Sequence, residues 1–161
     1  TLGRSIENLY ILDRSSVRIG NLCIAGATLW SNPKCKVPPF IVRVSELRTK
    51  EYAKRHAEDL VYLSKMINHC HSHGYKLVVV THHPPSMRVT QDTGRRKKFQ
   101  SLYATDLEYL LDKSKVDTWI CGHVHKNFDF LSENGTRVLG NQKGKPKDRI
   151  CDYSKEFVVS L

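Results

Sequence analysis

The apolar positions of the chain follow two periods. Between Thr49 and His73, the residues Ala53, Ala57, Leu60, Leu63, Ile67 and Cys70 recur every three or four positions, the spacing that gathers side chains on one face of an α-helix. Thr49 suits the N-cap, Glu51 the first turn and Gly74 the stop. Elsewhere the apolar runs are short, rich in β-branched residues and bounded by turn formers, a pattern that predicts strands. They cover residues 9–12, 17–19, 22–27, 76–80, 118–121, 127–131, 136–140 and 156–161. Asn134-Gly135 lies between two of these runs and is the dipeptide that a type I′ hairpin turn wants. A second, shorter helix is predicted over residues 105–114. There Thr105-Asp106-Leu107-Glu108 fits a capping box, and Leu107, Leu110 and Leu111 give a buried side.

Strands alternating with helices predict an α/β class. The 161 residues suit a single domain, and no composition shift or repeat divides them. Trp30 could line a pocket but reads first as a core aromatic.

Two of the strand runs end in histidines. Leu77-Val78-Val79-Val80 leads into Thr81-His82-His83-Pro84-Pro85-Ser86, and Thr118-Trp119-Ile120-Cys121 leads into Gly122-His123-Val124-His125. Open α/β sheets place their ligand sites at the carboxyl ends of strands, and imidazole is the commonest nitrogen ligand for a transition metal. Gly122 offers a tight backbone turn that lets both following side chains enter one cleft. His82, His123 and His125 are therefore candidate metal ligands. His83 follows the first of them directly and is the candidate catalytic residue, either in contact with a substrate phosphate or packed in the loop. His69, His71 and His73 at the end of the long helix read as ordinary helix-end histidines, because three residues two apart do not share one helix face.

These two motifs resemble the fourth and fifth motifs of calcineurin-like metallophosphoesterases. The segment between them, the opening around Ala25-Gly26-Ala27-Thr28-Leu29-Trp30, and the C-terminal stretch with Gly135-Thr136-Arg137-Val138 and Asn141 also resemble that family. The family's three earlier motifs, Asp-x-His, Gly-Asp-x-x-Asp and Gly-Asn-His, do not occur in the chain. The resemblance implies a two-sheet β-sandwich flanked by helices, with residues 1–161 forming the C-terminal portion of a larger domain. It implies hydrolysis of a phosphomonoester or phosphodiester at two divalent ions, Mn, Fe or Zn, by a metal-activated hydroxide. His82 and His123 would ligate one ion and His125 the other, with the remaining ligands in the absent half. It also implies a site role for Asn141. A half-domain would expose an apolar sheet face, to be covered by that missing segment or by another chain.

Charge adds an anionic partner to this picture. The formal net charge is +10, and basic residues cluster at Arg88 and Arg95-Arg96-Lys97-Lys98, after the first histidine motif, and again over residues 143–149. Arg88, Arg95 and Arg96 are candidates to bind the phosphate of a substrate. Nucleic acid would answer the same charge, but no helix-turn-helix, zinc-finger or RNA-binding motif supports it. The alternative to an enzyme is a catalytically incomplete scaffold or assembly protein that binds an anionic partner. The five cysteines are odd in number, widely spaced and partly inside strand runs, which suits a reducing compartment such as the cytoplasm. No apolar run approaches the roughly 20 residues of a membrane span, so no membrane partner is expected.

Overall fold

The computed structural model describes residues 9–32, 49–91 and 97–161. One six-stranded mixed sheet is built from β1 (Ser15–Ile19), β2 (Leu22–Ala27), β3 (Lys76–Thr81), β4 (Thr118–Cys121), β5 (Phe128–Leu131) and β6 (Arg137–Gly140). The strand order is β1-β2-β3-β4-β6-β5. The inner four strands are parallel, and β1 and β5 close the two edges antiparallel to their neighbours. The helix α1 (Thr49–Ser72) makes the crossover from β2 to β3.

Alternation along the strands sorts the core. Cys23, Ala25, Ala27, Leu77, Val79, Trp119, Cys121 and Val138 share one sheet face and pack on Leu63, Ile67 and Cys70 of α1. The opposite face is also apolar. Val78 and Leu139 are buried there, while Ile24, Val80 and Ile120 are half-buried. The α/β class is thus borne out. The described residues form a single sheet, and a second sheet facing it stays an implication of the resemblance.

The helix stripe differs from its apolar reading in the first half. Ala53 and Ala57 are exposed, and the buried positions are Tyr52, His56 and Asp59, continuing into Leu63, Ile67 and Cys70. The spacing is helical throughout, but two of its members are polar. Thr49 is the first residue of α1 rather than its cap.

Three further expectations are corrected. Residues 9–12 form no strand; Leu9, Tyr10 and Ile11 are exposed, while Leu12 packs where a Cβ on Gly26 would sit. Residues 156–161 form none either, and Val158 is 84% exposed. The helix over 105–114 reduces to one 3-10 turn, Glu108–Leu110. Its would-be N-cap, Thr105, has its backbone N–H bound to the Pro84 carbonyl at 3.1 Å, and Leu107 N–H is bound to the Pro85 carbonyl at 2.8 Å. Those bonds fix the segment against the loop after β3, and the Glu108 carboxylate accepts from Ser86 Oγ instead of closing a capping box.

The β5–β6 hairpin forms, with Leu131 opposite Arg137. Its loop spans the five residues Ser132 to Thr136, and of Asn134-Gly135 only Gly135 takes positive φ, at 83°. A type I′ turn needs both residues there; here Gly135 N–H closes on the Ser132 carbonyl at 3.1 Å. Asp129 and Arg137 brace this edge through two hydrogen bonds of 2.8 and 2.6 Å.

Gly140 has no room for a side chain, since an added Cβ would lie 2.7 Å from the Cys121 carbonyl oxygen and 2.8 Å from the Phe128 ring. Gly140→Ala is expected to cost about 1–3 kcal/mol, read as a lowered urea midpoint; an unchanged midpoint would contradict this packing. The Arg137 bonds hold the Asp129 carboxyl below its ordinary value of 3.8. A carboxylate with a lowered native pKa stabilises the fold above its unfolded pKa, and that contribution disappears as pH falls through the native value. Thermal stability is therefore expected to drop below about pH 4, and Asp129→Asn to make that acid slope shallower.

Candidate metal centre

The parallel pairing of β3 with β4 sets Thr81 opposite Cys121. Each strand ends there, so His82 and the Gly122–His125 turn leave the sheet side by side on one edge. Gly122 N–H donates to the His82 carbonyl at 3.1 Å and locks the two exits together. β2 ends in register with β3, Ala27 opposite Thr81, and sends Thr28–Trp30 out at the same edge. β6 ends beside β4 and sends Asn141 and Gln142 there. All four parallel strands thus supply the edge where such sheets hold ligands.

His82 Nε2 and His123 Nδ1 face each other at 3.0 Å. With His83 they form a group in which no two ligand atoms are more than 4.8 Å apart. Imidazole nitrogens bind zinc-like ions at about 2.0–2.1 Å, so two ligands of one ion stand at most about 4.2 Å apart. The His82–His123 pair already meets that limit, and the third nitrogen needs to close by about half an ångström. Three imidazoles suit a borderline divalent ion such as Zn or Fe(II).

The turn that aims these rings is made by the histidines themselves. His123 has φ 67° and His125 φ 52°, while Gly122 has no positive φ. Val124 N–H donates to the Gly122 carbonyl at 2.8 Å across His123, closing a strained three-residue turn. The expected role of Gly122 is corrected accordingly. Left-handed backbone on non-glycine residues costs about 1–3 kcal/mol each and persists where the surroundings enforce it. Here Val124, 2% exposed, is the anchor: it packs into a small core with Val89 and Ala104 while its neighbours turn outward. The His123 ring lies 4.1 Å from His83 and 5.4 Å from Tyr103, centroid to centroid.

His83 is buried, and a polar layer beneath it determines its state. The Thr28 carbonyl accepts from His83 N–H at 3.1 Å and faces the His83 Nδ1 at 3.4 Å, so Nδ1 carries the proton and Nε2 is left as the ligand atom. Burial first, then the neighbouring His123 and His82, push the His83 pKa down to about 2, and the Thr28 bond opposes them. Burial, followed by the charge of His125, also lowers His82. Both therefore stand as the neutral imidazoles that metal binding requires. On the core side, Trp119 Nε1–H donates to Thr81 Oγ1 at 2.9 Å, and that hydroxyl donates to the His83 carbonyl at 2.7 Å. The Thr28–Trp30 segment is in turn held by α1. The fully buried Asp59 accepts from Trp30 N–H at 3.2 Å and from Arg14 Nη1 at 3.0 Å, and His56 Nδ1–H donates to the Trp30 carbonyl. Sequence reasoning passed over His56 and Asp59, although their helical spacing with Tyr52 and Leu63 marks them as inward-facing.

His125 stands apart from the three-histidine group. Its Nδ1 bonds Asp148 Oδ2 at 2.7 Å and its N–H bonds Gln142 Oε1 at 2.9 Å. A carboxylate on one imidazole nitrogen orients the other for a metal, so His125 retains Nε2 as a donor. Asp148 sits in the basic 143–149 loop, whose Lys143, Lys145, Lys147 and Arg149 are exposed.

The remaining candidates are engaged elsewhere or lie outside the described residues. Arg88 Nη1 donates to the Leu131 carbonyl at 3.0 Å, and its guanidinium lies 4.0 Å from the Phe130 ring centre. Asn141 clasps Ser154, donating to its carbonyl at 2.7 Å and accepting from its N–H at 3.1 Å. Arg95 and Arg96 fall outside the described residues. Cys23, Cys70 and Cys121 are buried free thiols and Cys151 is an exposed one. Among the described residues no helix is long and apolar enough to cross a membrane.

No protein-family model matches the chain, and no curated protein matches it. Asp59→Ala would leave the Trp30 N–H and Arg14 without their buried acceptor. It is expected to destabilise the fold by about 1–3 kcal/mol in chemical denaturation, and a change within error would sink the anchoring role of this carboxylate.

Proposed function

We propose that this chain carries the histidine side of a divalent-metal-dependent phosphoesterase centre. The observation that supports it best is the pairing of His82 Nε2 with His123 Nδ1 at 3.0 Å on the carboxyl edge of a parallel sheet. His82, His83 and His123 would hold one ion, and His125, oriented by Asp148, would ligate a second. In such centres the ions polarise the phosphoryl oxygens, lower the pKa of a water and stabilise in-line displacement at phosphorus. The chain's own contribution is positional. Neutral imidazoles point to one place, the polar layer of Thr28, Thr81 and Trp119 keeps His83 from turning, and the Val124 anchor holds the left-handed turn. The exposed cations of residues 143–149 would draw a phosphorylated substrate toward His125. A dinuclear centre also needs carboxylate ligands beyond these histidines, which the resemblance assigns to an upstream half of the domain. Arg88 and Asn141 have no part in this proposal, since their polar groups are bound to backbone elsewhere.

The reading is tested by metal titration and hydrolysis together. The purified protein should bind Mn or Zn ions and hydrolyse p-nitrophenyl phosphate or its diester, and chelation should abolish turnover. Asp148→Asn should weaken metal affinity by about 10–100-fold, the usual effect of removing an outer hydrogen-bond partner, and His123→Ala should weaken it further. Metal binding without hydrolysis would favour the incomplete scaffold, and a protein that retains no ion would overturn the proposal.

A further inference from the structure

We propose that His69 and His73 form a second transition-metal site at the carboxyl end of α1, independent of the centre on the sheet edge. The two residues are four apart, one helical turn, and so share a face. Their ring centroids are 4.2 Å apart with planes tilted by 40°. The His82 and His123 rings, whose facing nitrogens are 3.0 Å apart, stand at 4.8 Å by the same measure. The helix-end rings thus stand as near each other as those of the sheet-edge pair. His71 is not part of it, because its Nδ1–H donates to the Ser114 carbonyl at 3.1 Å, on another side of the helix end.

The pair is also pre-oriented. His73 Nδ1–H donates to the His69 carbonyl at 2.8 Å, which fixes the tautomer and leaves Nε2 as the lone-pair nitrogen. The His73 ring stacks on Tyr75 at 5.8 Å with planes only 13° apart. Tyr75 is itself fixed by Arg18, whose Nη1 donates to the tyrosine hydroxyl at 2.7 Å. Both ring nitrogens of His69 are without a hydrogen-bond partner among the described residues. The location favours a cation as well, since the last carbonyls of a helix carry its negative end. Two exposed imidazoles leave the remaining coordination positions to water, an arrangement that suits Ni(II), Cu(II) or Zn(II). An ion held there would clip the last turn of α1 beside Tyr75, where the chain enters β3.

The test is a titration of the intact protein with nickel chloride, followed by calorimetry and by thermal melting. It compares the unmodified chain with His69→Ala, His73→Ala and His71→Ala. All three positions are exposed, so each variant should fold, and its Tm in the presence of a chelator is the reference for its own metal-induced rise; His69→Gln serves as a second check on folding. His69→Ala and His73→Ala should each weaken one equivalent of binding about tenfold or more and remove its share of the metal-induced rise in Tm. His71→Ala should leave both unchanged. The sheet-edge centre contributes equally to all four proteins, so its presence or absence does not decide the result. Binding that ignores His69→Ala and His73→Ala, or that falls equally with His71→Ala, would overturn the proposal.

Discussion

The parallel ladder between β3 and β4 is the constraint on which the rest of the molecule depends. It places Thr81 beside Cys121, so that both strands stop at one level and the next residues of each emerge together. A slip of one residue would turn the inward set of either strand to the opposite face. Leu77, Val79 and Trp119 would leave α1, and His82 would no longer meet His123. Core packing and the histidine pair are thus enforced by the same register.

Below the histidines the core is not purely apolar. Trp119, Thr81, His56 and Asp59 are all buried, and each uses its polar atoms toward the exits of β2 and β3. Buried polar groups are costly unless bonded, and here the bonds run from the sheet and the helix into the backbone that carries His83. Removing any one leaves a partner buried without its bond, so the layer works as a unit. That is a physical reason for a helix to bury an aspartate and a histidine where its pattern would otherwise call for leucine.

Much of the fold was legible because it rests on periodicity. The strands 22–27, 76–80 and 118–121 and the long helix are found within a residue or two of their expected ends. The misses share a cause, namely that tertiary context overrode local preference. Residues 105–107 have helix-start chemistry, but the carbonyls of Pro84 and Pro85 take their N–H groups. The apolar character of 156–161 is real, yet no neighbouring strand pairs with it among the described residues. The site was legible in part. Strand-end histidines could be found from spacing alone, whereas the isolation of His125 with Asp148 depends on a loop more than twenty residues further on. The roles of Arg88 and Asn141 were equally hidden, since basic and amide residues near a site motif look alike whether they face a ligand or a carbonyl.

His82 and His123 are 41 residues apart in sequence, and they meet only through a non-local parallel pairing. Such pairings form slowly, because the entropy of closing the intervening chain must be lost before any contact compensates it. The imidazole pair therefore cannot exist in the early, locally structured chain, in which α1 can already be helical. An ion that needs both rings will bind after the rate-limiting step rather than guide it. Such an ion would slow unfolding while leaving the refolding rate nearly untouched, so that occupancy, where it occurs, would give kinetic persistence to the whole sheet.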